Sequence, residues 1–437
     1  MAKQNVVKII KPCSRLEGTL ALPGDKSISH RAVILNSLAS GKAKIANFAP
    51  GKDCWSTVSC LRALGVEVRR EGPCNCPTVL ISGTDNDGLK EPLNVLNAGN
   101  SGTTMRLLGG LLSSQPFLSI ITGDASLRSR PMGRLIKPLR SMGAEIHGRG
   151  KDSFAPLVIK GKKLHGIEFS LPVPSAQIKS AILLAGLFAQ GRTVLHQPLP
   201  SRDHTERLLK HMGAGLRITD NLLSLTPLTN PLTSISFCVP GDISSGAYFL
   251  VAGAIHPDAR IIIKNCGINP TRTGIIDVLL AMGAELKIEN ERMEAGEPLA
   301  DIVVESSELR GVDISGGIIP CLIDEIPALA VAGCAARGKT VIRGAAELRV
   351  KESDRIATVS RELSRLGAKI EPLPDGMIIH GGSPLLGAEV DTHFDHRLAM
   401  SLAIAGLIAK GRTTINHAQA VQVSYPAFWP DLQNLTS

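Results

Sequence analysis

An eight-residue pattern that recurs along the chain constrains the fold more than any other feature of the sequence. Leu-x-x-[Leu/Met]-Gly-[Ala/Val]-x-[apolar] occurs five times, with its glycines at Gly65, Gly143, Gly213, Gly283 and Gly367. A glycine in this place is typical of a helix C-terminus that leads into a strand. Chance explains one such helix end, but not five at intervals of 70 to 84 residues. The chain is therefore predicted to consist of repeated units, with Leu432 beginning a sixth, shortened copy.

A series of helix starts lies between these glycines. Each start is polar or glycine-rich and precedes an apolar run, and the six lie near Asp25, Asn100, Ser175, Asp242, Asp324 and Asp395. Strand patterns fill the remaining sequence, which indicates a mixed α/β (α+β) fold. The units are longer than solenoid repeats of roughly 20 to 50 residues, so two globular domains of three units fit better.

The turn Pro23-Gly24-Asp25 recurs at Pro240-Gly241-Asp242, which suggests where each domain begins. Residues 23–237 are predicted to form the N-terminal domain, and residues 1–22 with 238–437 the C-terminal domain. The two turns would mark the crossings between domains. A cleft between the domains is therefore expected at Lys26 and Asp242.

Charge and composition limit the function classes. The 437 residues carry a net charge of +9, which suits nucleic acid, an anionic membrane or small acidic substrates. Aromatic residues make up 3% of the chain, too few to offer a stacking surface for bases. No dense run of Lys and Arg and no zinc-finger spacing is present. A basic cleft for small anions is favoured, without a nucleic-acid partner.

The nine cysteines are an odd number spread over a long chain, which favours free thiols in a reducing compartment, the cytoplasm. Cys54, Cys60, Cys74 and Cys76 include no CxxC pair and have no nearby His, so neither a metal nor another cofactor is expected. The N-terminus lacks the apolar core of a signal sequence. The apolar run at residues 398–409 is too short to cross a bilayer, so no membrane role is expected.

Helix starts in the first half carry groups suited to anions. Lys26, Ser27 and Arg31 open the first helix, with Asp25 or Ser27 as its cap and Arg31 one turn beyond Ser27. The second start, residues 97–106, is rich in small residues but lacks the endings of a P-loop or a dinucleotide motif.

Further donors follow in the same half. The guanidinium groups of Arg128 and Arg130 suit a carboxylate or phosphate. Ser175 and Gln177 offer hydroxyl and amide donors, and a further polar start covers residues 201–204. Each of these helix starts, considered alone, is explained equally well by helix capping or by solvated surface charge.

The second half adds carboxylates. Asp324 and Glu325 lie inside an apolar sequence, where an acid is either a cap or a base near a cleft. Lys351 and Arg355 are predicted to share a helical face with Glu352 beside them. Asp395-His396-Arg397 starts an apolar helix, where charge is costly unless it is used. Several cationic helix starts together favour phosphorylated substrates. No Ser-His-Asp order, HExxH or repeated CxxC supports a covalent or metal mechanism.

Six motifs in order along nearly the whole chain resemble one family, the 3-phosphoshikimate 1-carboxyvinyltransferases or EPSP synthases. They are Pro-Gly-Asp-Lys-Ser-Ile-Ser-His-Arg, Gly-Asn-Ser-Gly-Thr-Thr-Met-Arg, Arg-Pro-Met, Pro-Ser-Ala-Gln-Ile-Lys-Ser, Lys-Glu-Ser-Asp-Arg and Asp-His-Arg-Leu-Ala-Met. The resemblance implies two similar domains, each of three βαβαββ repeats. Helix N-termini would point at an interdomain cleft that closes on shikimate 3-phosphate and phosphoenolpyruvate.

The resemblance also implies roles for individual residues. Shikimate 3-phosphate would be bound by Lys26, Ser27, Arg31, Ser175, Ala176, Gln177, Arg202, Asp324 and Lys351. Phosphoenolpyruvate would be bound by Lys26, Asn100, Gly102, Arg130, Gln177, Arg355 and Arg397. In the implied reaction the shikimate hydroxyl adds to the enol carbon, the methylene is protonated, and phosphate leaves. Asp324 would act as the base, and Glu352 or Lys26 as the acid.

The chain departs from the family pattern in three places. Residues 421–426 lack the lysine that many members carry there. Glu347 replaces an Asn found in some members, and Ala176 replaces a second Ser. These departures leave the details of phosphate binding and glyphosate sensitivity open.

Two other functions compete with this interpretation. The nearest is the enolpyruvyl transferase that acts on UDP-N-acetylglucosamine, which uses a loop cysteine where residues 123–131 of this chain contain alanine instead. The other is a non-catalytic anion-binding protein. The interpretation that fits the motifs predicts a cytoplasmic monomer that binds two small substrates.

Overall fold

The structure is a computed structural model that describes residues 5–85 and 88–436. The chain divides into two compact units. The N-unit comprises Gly24–Val239 with Glu294–Glu297, and the C-unit comprises the chain up to Pro23, Pro240–Met293 and the chain from Pro298 onward.

Short strands make up the sheets of both units. In chain order they are β1 (Lys8–Ile10), β2 (Leu16–Ala21), β3 (Ala39–Ser40), β4 (Lys42–Ala46), β5 (Glu67–Glu71), β6 (Thr78–Ser82), β7 (Leu96–Asn97), β8 (Leu118–Thr122), β9 (Glu145–Gly148), β10 (Phe154–Lys160), β11 (Glu168–Ser170), β12 (Thr193–His196), β13 (Leu216–Thr219), β14 (Leu222–Leu225), β15 (Leu232–Thr233), β16 (Phe237–Cys238), β17 (Ala259–Gly267), β18 (Glu285–Glu294), β19 (Glu297–Glu305), β20 (Asp313–Ile314), β21 (Lys339–Ile342), β22 (Lys369–Leu373), β23 (Gly376–His380), β24 (Glu389–Asp391) and β25 (Thr413–Asn416).

The helices are α1 (Lys26–Ser37), α2 (Lys52–Ala63), α3 (Gly102–Leu112), α4 (Ala125–Arg128), α5 (Gly133–Ser141), α6 (Arg149–Asp152), α7 (Ala176–Gly186), α8 (His204–His211), α9 (Ile243–Ile255), α10 (Gly274–Ala281), α11 (Ile319–Leu322), α12 (Ile326–Ala335), α13 (Arg355–Arg365), α14 (His396–Ile408) and α15 (Phe428–Leu435). Short 3-10 helices cover Gly316–Ile318, Ala346–Val350 and Ala418–Val423.

The N-unit contains the same four-stranded sheet three times, in the orders β16-β4-β6-β5, β7-β8-β10-β9 and β11-β12-β14-β13. In each sheet the first pair of strands is parallel and the other pairs are antiparallel. Two principal helices accompany each sheet: α1 and α2, α3 and α5, or α7 and α8. The second and third sheets confirm the βαβαββ repeat, because α3 and α7 provide the crossovers between their parallel strands. In the first sheet the parallel partner of β4 is β16, which comes from the end of the unit instead.

The C-unit contains two further sheets of this kind, ordered β18-β19-β17-β2 and β20-β21-β23-β22. Its third sheet differs from the implied repeat, because it has three described strands in the order β1-β25-β24. The strand β1 comes from the start of the chain and pairs antiparallel with β25. The helix α15 contains Leu432, at the place of the shortened sixth copy.

The five glycines of the repeated pattern all lie just beyond the C-terminus of a helix. Their φ angles are between 87° and 93°, in the left-handed region. Glycine adopts this conformation without the steric cost that a side chain adds. The prediction that each repeat has a helix ending at this glycine is therefore confirmed.

One helix of each repeat is buried almost throughout its length: α1, α3 and α7 in the N-unit, and α9, α12 and α14 in the C-unit. Packing between two of them is close enough to require glycine. A Cβ on Gly110 of α3 would lie 2.2 Å from the Ala181 carbonyl oxygen of α7. These apolar helices anchor the polar residues at their own N-termini, and most of the expected site residues lie there.

Across residues 5–85 and 88–436, no single helix has the length and apolar character needed to cross a membrane. One sharply bent pair, Gly316–Leu322 with Ile326–Ala335, meets the length and composition of a span. Its second helix, α12, belongs to the buried core of the C-unit.

Candidate active site

Lys26 begins α1, and Asp25 caps this helix. The Asp25 carboxylate accepts a hydrogen bond from the Ile28 N–H at 3.0 Å. The sequence left Asp25 and Ser27 as alternatives, and the structure selects Asp25. The Lys26 Nζ lies 3.1 Å from a carboxylate oxygen of Asp53, in the first turn of α2. Sequence reasoning missed Asp53 because it lies 27 residues from Lys26 and outside every motif.

Arg31, one turn further along α1, is buried and held by neutral oxygen atoms. Its Nε donates to Thr205 Oγ1 at 2.6 Å, and its Nη2 donates to Ser180 Oγ at 2.8 Å. Its Nη1 donates to the Ser27 carbonyl at 2.9 Å, which confirms that Ser27 and Arg31 share a helical face. Burial lowers the pKa of Arg31 to about 10, with the carboxylates nearby opposing this effect. The group therefore remains a cation at neutral pH.

Two guanidinium groups meet at the start of α3. The Arg106 Nη1 donates to Gln177 Oε1, and the Arg130 Nη2 donates to Asn100 Oδ1 at 2.6 Å. A Cβ on Gly102 would lie 2.9 Å from the Arg106 Nη1 and 3.5 Å from the Arg130 Nη1. The absence of a side chain at Gly102 therefore lets both guanidinium groups lie close to the backbone at the start of α3.

Arg106 was not among the site residues expected from the resemblance. The other four residues in these contacts were expected: Asn100, Gly102, Arg130 and Gln177. The signal for Arg106 was present, because it stands four residues after Gly102 on the same face of the helix. Its amide partner Gln177 is held in turn, since Gln177 Nε2 donates to Thr103 Oγ1 at 2.9 Å.

Ser175, Ala176 and Arg202 lie around the start of α7 and before α8. Ser175 occupies the N-cap position of α7, but its side chain makes no capping hydrogen bond. The Ala176 carbonyl accepts a hydrogen bond from Ser180 Oγ at 2.6 Å. Arg202 is half-buried in the segment that precedes α8. Capping therefore does not account for Ser175, which leaves its hydroxyl group suited to a ligand.

A buried ion pair supports this part of the N-unit. The Lys179 Nζ of α7 lies 2.6 Å from a carboxylate oxygen of Glu206 in α8. The same ammonium group donates to the Ser201 carbonyl at 3.1 Å, which ties the segment carrying Arg202 to α7. Removing one partner of such a buried pair costs about 3 to 5 kcal/mol. We therefore expect Lys179 and Glu206 to stabilise the frame around Arg31 and Arg202.

In the C-unit, Asp324 lies just before α12 and has three cations around it. Its Oδ1 is 3.4 Å from the Arg355 Nη1 and 3.9 Å from the Lys351 Nζ. Its Oδ2 is 3.7 Å from the Arg397 Nη2, and its carbonyl accepts a hydrogen bond from the Arg397 Nη1 at 3.0 Å. The fold thus brings together four expected site residues that three different sequence motifs supply.

Arg355 is buried and engages two carboxylates besides Asp324. It forms a two-point contact with Asp395, with Nε–Oδ2 and Nη2–Oδ1 distances of 2.8 and 3.2 Å. Its Nη2 also donates to Glu352 Oε2 at 2.7 Å. Burial alone would lower the pKa of Arg355, but Asp395 and Glu352 outweigh burial and raise it. The buried charge of Asp395 therefore has a structural role, because it orients Arg355 and also caps α14.

The prediction that Lys351 and Arg355 share a helical face is wrong. The helix α13 begins at Arg355, because Asp354 caps it by accepting a hydrogen bond from the Ala357 N–H at 3.1 Å. Lys351 lies in the irregular segment before that cap, and it approaches Arg355 because both contact Asp324. Its Nζ also lies 3.2 Å from Glu347 Oε1, so the departure at position 347 introduces a carboxylate beside this lysine.

The charged residues of the N-unit and those of the C-unit differ in chemistry. In the N-unit, Arg31, Arg106 and Arg130 donate mainly to hydroxyl, amide and carbonyl oxygens, so their charge is not cancelled by those partners. In the C-unit, carboxylates and cations alternate within 4 Å, which suits proton transfer beside an anion. Within the described ranges, no group of three His, Cys, Asp or Glu residues is arranged to hold a metal ion.

Comparison with known proteins agrees with this geometry. The family model described as EPSP synthase (3-phosphoshikimate 1-carboxyvinyltransferase) matches residues 10–432. A protein of Herpetosiphon aurantiacus named 3-phosphoshikimate 1-carboxyvinyltransferase is 53% identical over 422 residues, which cover 96% of this chain and 97% of that protein. A protein of the same name from Geobacillus kaustophilus is 53% identical over 424 residues, covering 97% and 98% of the two chains.

Solved structures give the same result at the level of the fold. The EPSP synthase of Acinetobacter baumannii superposes with a TM-score of 0.88 at 45% identity, covering 99% of this chain and 98% of that chain. The enolpyruvyl transferase NikO of Streptomyces tendae superposes with a TM-score of 0.81 at 20% identity, covering 99% and 97%, and shows the shared fold alone. The chain therefore belongs to the EPSP synthase family of enolpyruvyl transferases.

Proposed function

We propose that the protein transfers the enolpyruvyl group of phosphoenolpyruvate to the 5-hydroxyl of shikimate 3-phosphate and releases phosphate. The observation that carries the proposal is Asp324, a carboxylate with Lys351, Arg355 and Arg397 within 3.9 Å. A base among cations is what an addition to an anionic enol ester requires. The names of the relatives support the same pair of substrates.

Phosphoenolpyruvate is assigned to the guanidinium groups and the donors near them. Arg130, which lies close to the backbone of Gly102, suits its phosphate or carboxylate, since a planar fork matches both groups. The remaining ligands proposed for this substrate are Lys26, Asn100, Gln177, Arg355 and Arg397. Arg106 joins them as a candidate from the structure, because its Nη1 lies against Gly102 beside Arg130.

Shikimate 3-phosphate is assigned to the hydroxyl-rich helix starts and to the second set of charges. Arg31 offers N–H groups to the phosphate from a buried, rigid position. The other proposed ligands are Lys26, Ser27, Ser175, Ala176, Gln177, Arg202, Asp324 and Lys351. Glu347 lies beside Lys351, and we expect it to moderate the affinity for the phosphate.

The proposed reaction is an addition followed by an elimination. Asp324 accepts the proton of the 5-hydroxyl while the hydroxyl oxygen bonds to the enol carbon. Glu352 or Lys26 donates a proton to the methylene. The bond from the enol carbon to the phosphate oxygen then breaks. Glu352 or Lys26, whichever donated the proton, takes one back from the methyl group at the same time, which restores the double bond. The cations offset the negative charge on the phosphate and carboxylate groups.

Phosphate release from the two substrates tests the proposal, with Asp324→Asn as the key variant. We expect turnover by the parent that survives addition of a chelator. We expect Asp324→Asn to lower kcat by about 100- to 10,000-fold, the usual contribution of general acid–base catalysis. Asp313→Asn, at an exposed position in β20, is the matched control and should retain activity.

Two outcomes would contradict the proposal. Turnover with UDP-N-acetylglucosamine instead of shikimate 3-phosphate would favour the related transferase. No phosphate release together with tight binding of a nucleic acid would favour a non-catalytic anion-binding protein. We further propose that the protein is cytoplasmic, which the free state of all nine cysteines supports. We also propose that it is a monomer, which sedimentation of the purified protein would test.

A further inference from the structure

The N-unit contains a cavity of about 640 Å³ that shares Ser175 with the proposed substrate ligands and is otherwise lined by residues without a proposed role in the reaction. It lies between α5, the turn of α6 and the segment from Leu171 to Ser175. This volume falls within the range of about 300 to 1,000 Å³ that is usual for small-molecule sites. The cavity is thus large enough for a compact ligand of one or two rings.

The inner surface of the cavity is mostly apolar. Phe154 of β10, Phe169 of β11 and Val173 line it, and each remains half-buried in the protein. Leaving aromatic surface open to water costs roughly 25 cal/mol per Å² of apolar area, which a bound apolar group would recover. The cavity therefore favours a ligand with an apolar, preferably flat, body.

Three cations line the same cavity: Arg134, Lys137 and Lys151. Across residues 5–85 and 88–436, none of their side-chain nitrogens has a hydrogen-bond or ion-pair partner. Arg140 lines the cavity as well, but Asp152 neutralises it at 2.7 Å. An apolar cavity with three uncancelled positive charges is complementary to an apolar anion.

The backbone at Lys151 is held in an unfavourable conformation. Lys151 and Asp152 have φ angles of 54° and 63°, in the left-handed region, which costs on the order of 1 to 2 kcal/mol for each residue with a side chain. The Asp152 carboxylate maintains this turn by accepting the Gly148 N–H at 2.9 Å. The turn therefore keeps Lys151 beside the cavity.

We propose that this cavity binds a small aromatic carboxylate or sulfonate. Its apolar body would lie among Phe154, Phe169 and Val173, and its anionic group would face Arg134, Lys137 and Lys151. Pro131 and Ser175 also line the cavity, next to Arg130 and Gln177 of the candidate active site. Occupancy should therefore weaken the binding of shikimate 3-phosphate, and this last step rests on the proposed function.

Calorimetric titration with three probes of one shape tests the proposal. 1-Naphthoate should bind at submillimolar concentration, and the neutral 1-naphthamide and the cationic 1-naphthylmethylamine should bind at least 10-fold more weakly. The variant Arg134→Glu/Lys137→Glu should lose at least 10-fold in affinity for 1-naphthoate. Lys162→Glu/Lys163→Glu is the matched control, because it changes the charge equally at exposed positions that do not line the cavity, and it should bind within twofold of the parent.

A second variant fills the cavity instead of reversing the charge of its lining. Val173→Trp should abolish 1-naphthoate binding while thermal unfolding stays close to that of the parent. Equal binding of the three probes would overturn the proposal. An equal loss of affinity in the control variant would also overturn it. So would complete displacement of 1-naphthoate by inorganic phosphate together with unchanged binding by Arg134→Glu/Lys137→Glu, since the probe would then occupy the substrate site.

The two proposals fail independently. A protein that binds 1-naphthoate as described but releases no phosphate would disprove the reaction and leave the cavity site standing. A protein that turns over normally but does not bind the probe would disprove the cavity site alone. When both hold, 1-naphthoate should raise the apparent KM for shikimate 3-phosphate severalfold, and Arg134→Glu/Lys137→Glu should suppress that rise.

Discussion

The partners of individual arginines decide how much charge each can offer a ligand. An arginine has five N–H bonds, and Arg31 uses three of them on Thr205, Ser180 and Ser27. Each acceptor is a neutral oxygen. In the described part of the chain, the two remaining N–H bonds have no acceptor, so they are available to the phosphate of the proposed substrate. Thr205 is therefore a positioning residue for Arg31, since its Oγ1 fixes the Nε.

Thr205→Val tests this positioning role. Valine has the shape of threonine but no acceptor, and losing a hydrogen bond to a charged group costs about 1.5 to 3 kcal/mol. We expect the KM for shikimate 3-phosphate to rise by about 10- to 100-fold, with a smaller change in kcat. Thr205→Ser should restore the parental KM because it keeps the hydroxyl group. Equal loss in both variants, or a fall in kcat alone, would show that Thr205 acts only in packing.

At the scale of single elements, strands hold the helix starts in place. The strand β17 has a bulge between Ile263 and Cys266, with Asn265 in the left-handed conformation at a φ of 54°. The Asn265 carbonyl accepts a hydrogen bond from the Gly241 N–H at 2.8 Å, immediately before the capping residue of α9. Asp301 of β19 holds this bulge from the other side, because its carboxylate accepts the Asn265 N–H at 2.9 Å.

The stability of the C-unit should depend on the ionisation of Asp301. Burial raises the pKa of Asp301, but hydrogen bonds from Lys264, Asn265 and Asn290 outweigh it and lower the pKa to about 2 from 3.8. A lowered pKa favours the folded state above the unfolded-state value, and this contribution is lost as the pH falls from about 4 to about 2. At pH 7 we expect Asp301→Asn to lower the free energy of unfolding by on the order of 2 kcal/mol.

Denaturant unfolding at a series of pH values measures this effect. The difference between the parent and Asp301→Asn should shrink as the pH falls from about 4 to about 2, where the parental carboxylate becomes protonated first in the unfolded and then in the folded state. Asp313→Asn serves as the control, because Asp313 is exposed and its substitution should not change the dependence on pH. A difference that stays constant from pH 7 to pH 2 would show that the loss is one of packing and not of charge.

At the scale of the whole molecule, the net charge of +9 acts on substrates before they bind. Both proposed substrates are multiply charged anions, so a cationic protein attracts them over a distance that salt shortens. The screening length falls from roughly 14 Å at 0.05 M ionic strength to about 4 Å at 0.5 M. Buried ion pairs such as Lys179–Glu206 are screened much less.

We therefore expect the KM for phosphoenolpyruvate to rise severalfold between 0.05 and 0.5 M potassium chloride, with little change in kcat. Steady-state kinetics at constant pH measures this dependence, and circular dichroism confirms that the fold is unchanged over the same range. Potassium acetate at equal ionic strength is the control for a specific chloride effect. A KM that does not change with either salt would contradict the electrostatic contribution.

The sequence by itself determined the repeat, the fold class and the chemistry of the helix starts. The glycines at 65, 143, 213, 283 and 367 predicted helix ends correctly, because a left-handed C-terminal residue is a local property that glycine satisfies alone. The pairing of Ser27 with Arg31 was equally local, since four residues make one turn. The family motifs predicted a set of site residues, without their contacts.

The tertiary structure decided what each charge contacts. Asp53, Ser180 and Thr205 lie outside the motifs that their partners belong to, and only the packing of α1 against α2, α7 and α8 brings them near Lys26 and Arg31. Lys351 and Arg355 meet at Asp324 and not on one helix, because the Asp354 cap starts α13 later than the spacing predicted. Contacts between distant residues depend on the shape of the packed core, which no local pattern specifies.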